Sequence, residues 1–136
     1  MASPRKLLAK VLSKTALRAE QDIEDARYNL EGERYHIACF LSQQSAEKAL
    51  KAFLYAEGEE MVWGHSVAEL CKRVTSIDKD IEKIRRKVAT LDKYYIPTRY
   101  PNGLPGGIPS EAFEKRDADR AIEIAEEVIQ VIEGKL

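Results

Sequence analysis

The sequence predicts an all-α protein, an up-and-down bundle of about five helices. Apolar residues recur at intervals of three and four along most of the chain, as one face of an α-helix requires. No segment alternates polar and apolar residues with the period of two that is typical of a strand. The length of 136 residues fits one domain that is large enough to bury a core of its own.

The first predicted helix begins at Pro4, with Ser3 as its N-cap, and ends before Gly32. The second runs from about Arg34 to Glu57 and ends at Gly58. Apolar and small residues cover most of the circumference of the second helix, which predicts that it is central and packed on two faces. Its small residues share one side, where another helix can approach closely: Ala38, Ser45, Ala49, Ala52 and Ala56.

A narrow arc of the second helix remains polar. At ~100° per residue, the side chains of this polar strip project within about 100° of one another: Gln44, Glu47, Lys48 and Lys51. Three interpretations are open. The strip is a solvated face with Glu47 and Lys51 as an i,i+4 ion pair, a row that faces a ligand, or a row that faces a second protomer. The apolar character of the rest of the helix argues against a fully solvated face.

Ser66 and Glu69 form a capping-box pattern that predicts the start of a third helix. Asp78 is positioned to cap a fourth, whose apolar stripe is Ile81, Ile84, Val88, Leu91 and Tyr95. Either Ser110 or Asp117 begins the last helix, and Gly134 lies near its end.

Prolines and glycines exclude regular structure between Ile96 and Pro109. Residues 94–103 combine three tyrosines with Arg99 at a helix end. Tyrosine offers a stacking surface, and arginine offers a planar fork for phosphate or carboxylate, so the segment is a candidate binding loop. The alternative is a rigid strap in which the tyrosines cover the bundle edge and Arg99 caps carbonyl groups.

His36 and His65 are the only histidines. Histidine suits acid–base chemistry near neutral pH, which is the basis of a ribonuclease hypothesis. In the alternative, His65 bonds to a loop carbonyl and His36 lies at an edge. Neither has His, Cys or carboxylate neighbours at ligand spacing, so we expect no metal site, and no phosphate loop, nucleophile elbow or paired-carboxylate motif is present.

Net charge, cysteines and charged fraction indicate the class of protein and the compartment in which it works. A formal net charge of -1 argues against a protein that coats nucleic acid. Cys39 and Cys71 stand among apolar neighbours without a CxxC pattern, which predicts two buried, reduced thiols. The sequence contains no apolar run of ~20 residues and no secretory signal, so we expect a cytoplasmic protein that does not span a membrane. A charged fraction of 33% is typical of a thermophile host.

Three segments together resemble HEPN domains. Residues 40–52 (FLSQQSAEKALKA) resemble the central-helix signature of that family. Residues 64–70 (GHSVAEL) resemble the segment that follows, in which Asp often stands at the position of Ser66. Residues 95–101 (YIPTRYP) resemble its Thr-Arg-Tyr-Pro loop. The resemblance covers about residues 16–132, and it implies an N-terminal helical extension over residues 1–14 ahead of a HEPN bundle domain over residues 15–136.

The resemblance also implies a homodimer that acts with a minimal nucleotidyltransferase, in some relatives as a toxin–antitoxin pair. HEPN proteins are regarded as binding nucleotides or RNA, and one branch cleaves RNA without a metal. That branch carries Arg followed four to six residues later by His. Here Arg34 is too close to His36 and Arg27 too far from it, and no arginine lies just before His65. No histidine follows Arg99.

The sequence therefore predicts a non-catalytic HEPN module, a dimer that binds a nucleotide and needs no cofactor. The candidate residues for binding a nucleotide or phosphate are Lys48, Lys51, His65, Tyr95, Arg99 and Tyr100. Gln44 and Glu47 complete the polar strip beside them. One alternative is a metal-independent ribonuclease toxin that uses His65 or His36 with Arg99. The other is a structural dimer or scaffold that binds no small ligand.

Overall fold

The computed structural model describes residues 4–59, 61–95 and 112–136, with side chains from residue 14 onward. Over these ranges all regular structure is helical, which confirms the predicted all-α class. The α-helices are α1 (Pro4–Glu31), α2 (Tyr35–Ala56), α3 (Val67–Ile77), α4 (Arg85–Ala89) and α5 (Lys115–Glu133). Two 3₁₀-helices, Lys79–Ile84 and Thr90–Tyr94, flank α4. None of the described helices combines the length and apolar character that a membrane span requires.

Helix α2 is central, as predicted, and packs against α1, α3 and α5. A short turn joins α1 to α2, where Glu33 takes a left-handed φ of 60° and Arg34 N–H donates to the Asn29 carbonyl at 2.8 Å. The small-residue side of α2 faces α1 closely enough for the Ser45 hydroxyl to donate to the Ala19 carbonyl at 2.6 Å. Both thiols are buried and free, and burial raises the pKa of Cys39 to about 12 and of Cys71 to about 11.

The predicted fourth helix is not continuous. Asp78 caps its start by accepting from Asp80 N–H at 3.0 Å, but the segment changes from 3₁₀ to α and back to 3₁₀. The apolar spacing explains the change, because buried residues three apart align on a 3₁₀-helix, which has three residues per turn. The stripe also ends on Tyr94, which is buried, rather than on the predicted Tyr95.

Helix α5 begins at Lys115 with Glu114 as its N-cap. Glu114 and Asp117 form a reciprocal capping box, in which Glu114 N–H donates to the Asp117 carboxylate at 2.8 Å. Asp117 is thus inside the first turn and does not begin the helix, while Ser110 lies outside the described residues. Gly134, predicted to lie near the end of this helix, is its C-cap. The apolar face of α5 completes the core against α2: Ala118, Ala121, Ile122, Ala125, Val128, Ile129 and Ile132.

Candidate functional site

The polar strip of α2 is not a solvated face. Glu47 is only 4% exposed, and the side chains of Lys51 and Lys48 are 16% and 28% exposed. The strip lies between α1 on one side and the connection from α2 to α3 on the other, since its residues bond to Asp22 of α1 and His65 of the connection. Of the three interpretations left open by the sequence, full solvation is therefore wrong.

Glu47 is the centre of a hydrogen-bonded cluster. Its carboxylate accepts from Lys51 Nζ at 3.1 Å, from Gln43 Nε2 at 3.3 Å, and contacts His65 Nδ1 at 3.2 Å. A buried carboxylate is stable only when such donors replace the water that it loses. Three side chains from two segments thus meet on one buried group. The contacts of Gln43 and Lys51 follow the i,i+4 spacing of the helix, and the contact of His65 does not.

Lys48 faces α1 instead of this cluster. Its ammonium forms an ion pair with the Asp22 carboxylate at 2.5 Å. Burial raises the pKa of Asp22, and the hydrogen bond from Lys48 opposes that rise. Lys48 and Lys51, both predicted to hold phosphate, are therefore each engaged with a carboxylate of the same chain. Gln44 makes a further contact on the strip, donating to the Gln43 side-chain oxygen at 2.6 Å.

His65 is fixed in three ways. Its backbone carbonyl accepts from Gln43 Nε2 at 2.8 Å, and its Nδ1 contacts Glu47. Its ring stacks on Tyr95, with centroids 4.9 Å apart and an interplanar angle of 15°. Tyr95 in turn stacks on Phe40 at 6.0 Å. The side chain of His65 is nevertheless 58% exposed. Because its Nδ1 contacts the Glu47 carboxylate, the alternative in which His65 bonds to a loop carbonyl is wrong.

Beside this ring lies the His65 pocket, a cavity of about 230 Å³ lined by His65, Ser66, Asp92 and Tyr95. Asp92 accepts from the Ser66 hydroxyl at 2.7 Å and from the first backbone N–H groups of α3 at 2.7 and 3.2 Å. The Ser66 oxygen accepts from Glu69 N–H at 3.2 Å, which confirms its predicted cap. Asp92 and the 3₁₀-helix that carries it therefore hold the start of α3 against the pocket.

The family model for the HEPN domain matches residues 13–135, nearly the whole chain. The chain belongs to the HEPN family. It is 32% identical over 127 residues to the putative toxin MJ1304 of Methanocaldococcus jannaschii, an alignment that covers 88% of this chain and 84% of that protein.

Solved HEPN-fold structures resemble the whole bundle. TT1696 from Thermus thermophilus has a TM-score of 0.83 at 33% identity, covering 92% of this chain and 98% of that one. ST0689, described as an archaeal HEPN homologue, has a TM-score of 0.76 at 37% identity, covering 91% and 96%. The HEPN domain protein tm0613 from Thermotoga maritima has a TM-score of 0.70 at 30% identity, covering 89% and 95%.

In this HEPN bundle the first two of the three segments that resemble the family also meet in space. Residues 40–52 supply Gln43 and Glu47, and residues 64–70 supply His65, which both of them bond. The third motif enters at Tyr95 and continues into Arg99 and Tyr100, which lie outside the described residues. His36 is apart from the cluster at the start of α2, where burial and the nearby Arg34 charge lower its pKa.

The cavity offers an aromatic surface and an imidazole, and the imidazole is bonded to the Glu47–Lys51 pair behind it. Such a set can stack a base and hydrogen-bond a phosphate or a hydroxyl group. Within the part of the chain that the structure describes, no group of three His, Cys, Asp or Glu side chains is arranged to hold a metal ion. Sequence reasoning missed Gln43 and Asp92. Gln43 has the local i,i+4 spacing to Glu47, but its bond to His65 joins residues 22 apart, and the bonds of Asp92 join residues 24–26 apart, beyond the range of any local pattern.

Proposed function

We propose that this HEPN protein is one component of a toxin–antitoxin type pair and binds a nucleotide or a short RNA at the His65 pocket. The observation that carries the proposal is the imidazole of His65, held by Glu47, stacked on Tyr95 and still more than half exposed beside a cavity. The name of the Methanocaldococcus relative, a putative toxin, supports the paired role. As partners we propose a second copy of the chain and a minimal nucleotidyltransferase.

The charges around the pocket favour a small ligand over a long duplex. Lys48 is paired with Asp22 and Lys51 with Glu47, so these four groups contribute no net charge. Each phosphate of a duplex that a protein neutralises requires a cationic side chain. The described residues that line the pocket, His65, Ser66, Asp92 and Tyr95, include no lysine or arginine. A ligand with one or a few phosphates and one base to stack matches this balance better. Arg99, four positions after Tyr95, is the further cation that the sequence assigns to the site.

Thermal-shift and calorimetric titrations with mononucleotides and RNA tetramers test the binding. A ligand at a hundred times its Kd is expected to add about 2.7 kcal/mol of apparent stability. Replacing Tyr95 by Ala removes the stacking surface and is expected to weaken binding by about 1–3 kcal/mol. The matched control is Tyr28→Ala, because Tyr28 is exposed on α1 and lines no part of the pocket. Equal affinity in both variants would place the ligand elsewhere.

Growth assays and co-purification test the pairing. Expression of the chain alone is expected to slow growth of a bacterial host, and co-expression with its nucleotidyltransferase is expected to restore growth. The two proteins should elute together from a sizing column, and light scattering should give two copies of this chain in the absence of the partner. Normal growth together with separate elution would contradict the paired role without bearing on nucleotide binding.

A second candidate function is metal-independent RNA cleavage. It is favoured by one observation, the contact of a buried carboxylate with His65 Nδ1, because a carboxylate that orients an imidazole is a common arrangement for acid–base catalysis. Electrophoresis of RNA recovered from the titrations, in the presence of a chelator, separates the two functions. Cleavage that His65→Ala abolishes would favour the enzyme, and intact RNA would favour the binding module.

A further inference from the structure

Two nearly inaccessible side chains of α2 are directed at a single, largely exposed residue. Gln43 is 0% exposed and Glu47 is 4% exposed, and both bond to His65. Burying an amide and a carboxylate is unfavourable unless their hydrogen bonds are made. The Gln43 amide already anchors the connection through the His65 carbonyl. The backbone is therefore held without the help of Glu47. The additional contact of Glu47 with the ring instead affects the orientation of the imidazole and which of its nitrogens carries the hydrogen.

The chemistry of the carboxylate decides which ring nitrogen carries the hydrogen. An ionised carboxylate only accepts hydrogen bonds, so the His65 nitrogen beside Glu47, Nδ1, must be the donor. In the neutral imidazole the other nitrogen, Nε2, is then an acceptor. Stacking on Tyr95 fixes the ring plane, so the Nε2 acceptor of the neutral ring points in one direction.

Two other polar residues of the pocket wall, Ser66 and Asp92, are engaged with each other and with the start of α3. The Asp92 oxygens accept from Ser66 and from two N–H groups of α3, while the Ser66 oxygen accepts from Glu69 N–H. Among the described residues, His65 Nε2 has no such partner. A ligand that places a hydroxyl group in the pocket can therefore donate to this imidazole nitrogen.

We propose that Glu47 is a positioning residue that holds His65 in the Nδ1–H form, so that Nε2 accepts a hydrogen bond from a ligand hydroxyl. In a nucleotide chain the hydroxyl that distinguishes RNA from DNA is the ribose 2′-OH. The site therefore selects ribonucleotide over deoxyribonucleotide ligands, an inference that rests on the proposed binding function.

Nuclear magnetic resonance tests the positioning role without any ligand. Long-range ¹H–¹⁵N spectra of the neutral imidazoles are expected to show Nδ1–H as the dominant form of His65 in the unaltered protein. In Glu47→Gln the side-chain amide can donate as well as accept, so the population of the Nε2–H form should rise. Glu127→Gln, which alters a carboxylate paired with Lys87 on the surface, is the matched control and should leave the spectrum of His65 unchanged. A dominant Nε2–H form in the unaltered protein would overturn the proposal.

Titrations with an RNA tetramer and the DNA tetramer of the same sequence test the selection. One hydrogen bond worth about 1.4 kcal/mol corresponds to a tenfold preference for RNA. Two substitutions on the exposed ring avoid reliance on a folded Glu47 variant. His65→Gln puts an amide oxygen near the position of Nε2 and should keep part of the preference, whereas His65→Asn reaches only the position of Nδ1 and should lose it.

The outcomes separate this inference from the proposed function. Tight binding of RNA and DNA with equal affinity would overturn the selection and leave nucleotide binding in place. A preference retained in His65→Asn would overturn the role of Nε2. If neither tetramer nor any mononucleotide bound, the proposed function and the selection would both be wrong, and the spectra would still decide whether Glu47 positions the ring.

Discussion

Two cavities of similar volume differ in how their charged groups are arranged. The groove between α1 and α5 has a volume of about 250 Å³ and is lined by Glu20, Glu24, Arg27, Glu126 and Glu133, among others. The His65 pocket has about 230 Å³. In the groove the Arg27–Glu126 pair is exposed, at 50% and 37%, and the neighbouring carboxyl of Glu20 raises the pKa of Glu133. Beside the His65 pocket, by contrast, the Glu47 carboxylate is buried and bonded only to donors.

Cavity volume therefore does not distinguish the candidate site of this HEPN protein from the α1–α5 groove. Charges on an open surface are solvated, and their arrangement has little effect on stability. A buried charge must be matched by partners of fixed geometry, so a buried cluster also fixes the side chains that project from it. Glu47 gives His65 and Lys51 defined positions, whereas nothing in the α1–α5 groove fixes Arg27 in the same way.

Removing one cation from each region gives the largest contrast. Lys51→Ala leaves the Glu47 carboxylate buried without its ion-pair partner, and we expect the free energy of unfolding to fall by about 2–4 kcal/mol. Arg27→Ala removes the exposed partner of Glu126 and is expected to cost less than about 1 kcal/mol. Urea denaturation of both variants measures the difference. Losses of equal size would mean that the polar strip behaves as an ordinary surface.

A smaller effect is expected from the residue that holds α3 at the pocket. Asp92→Ala removes the acceptor for Ser66 and two helix N–H groups, with an expected loss of about 2 kcal/mol. Asp119→Ala is the control, because Asp119 forms an exposed i,i+4 pair with Lys115 that contributes about 0.3–0.5 kcal/mol. Thermal unfolding monitored by circular dichroism compares the two. A loss no larger than that of the control would show that Ser66 alone caps α3.

The same contrast shows which features the sequence can predict. Helices such as α2 and α5 follow from apolar periodicity and from glycines at their ends, because both are local properties. The division of Tyr94 and Tyr95 between core and pocket was not predictable in this way. It depends on a change from α to 3₁₀ geometry, which shifts the buried position by one residue.

The candidate site was predictable in part for the same reason. Sequence reasoning identified Glu47, Lys51, His65 and Tyr95, since each belongs to a local pattern or a motif. It could not show that Glu47 bonds His65, because the two residues come together only when the connection after α2 folds back on that helix. Lys48 is a second case, since its place on the polar strip did not reveal its ion pair with Asp22 of α1.

The pH dependence of stability is the smallest of the expected effects and concerns the α1–α5 groove. The hydrogen bond with Glu20 raises the pKa of Glu133 above its ordinary value of 4.5. The folded state then holds this proton more tightly than the unfolded state, so stability falls as pH rises from about 4.5 through the raised pKa. Both groups are exposed, and solvent screening keeps the change small.

Glu20→Gln removes the neighbouring carboxyl, so Glu133 should lose the proton at a lower pH and the decline should flatten. Midpoints of urea unfolding between pH 4 and pH 7 measure the slope, and Glu24→Gln on the same groove is the matched control. The other charged groups of the groove, Arg27 and Glu126, are common to both variants and cancel in the difference. A slope that is the same in Glu20→Gln as in the unaltered protein would show that the two carboxyls do not share a proton. The groove would then differ from the His65 pocket only in the exposure of its charges.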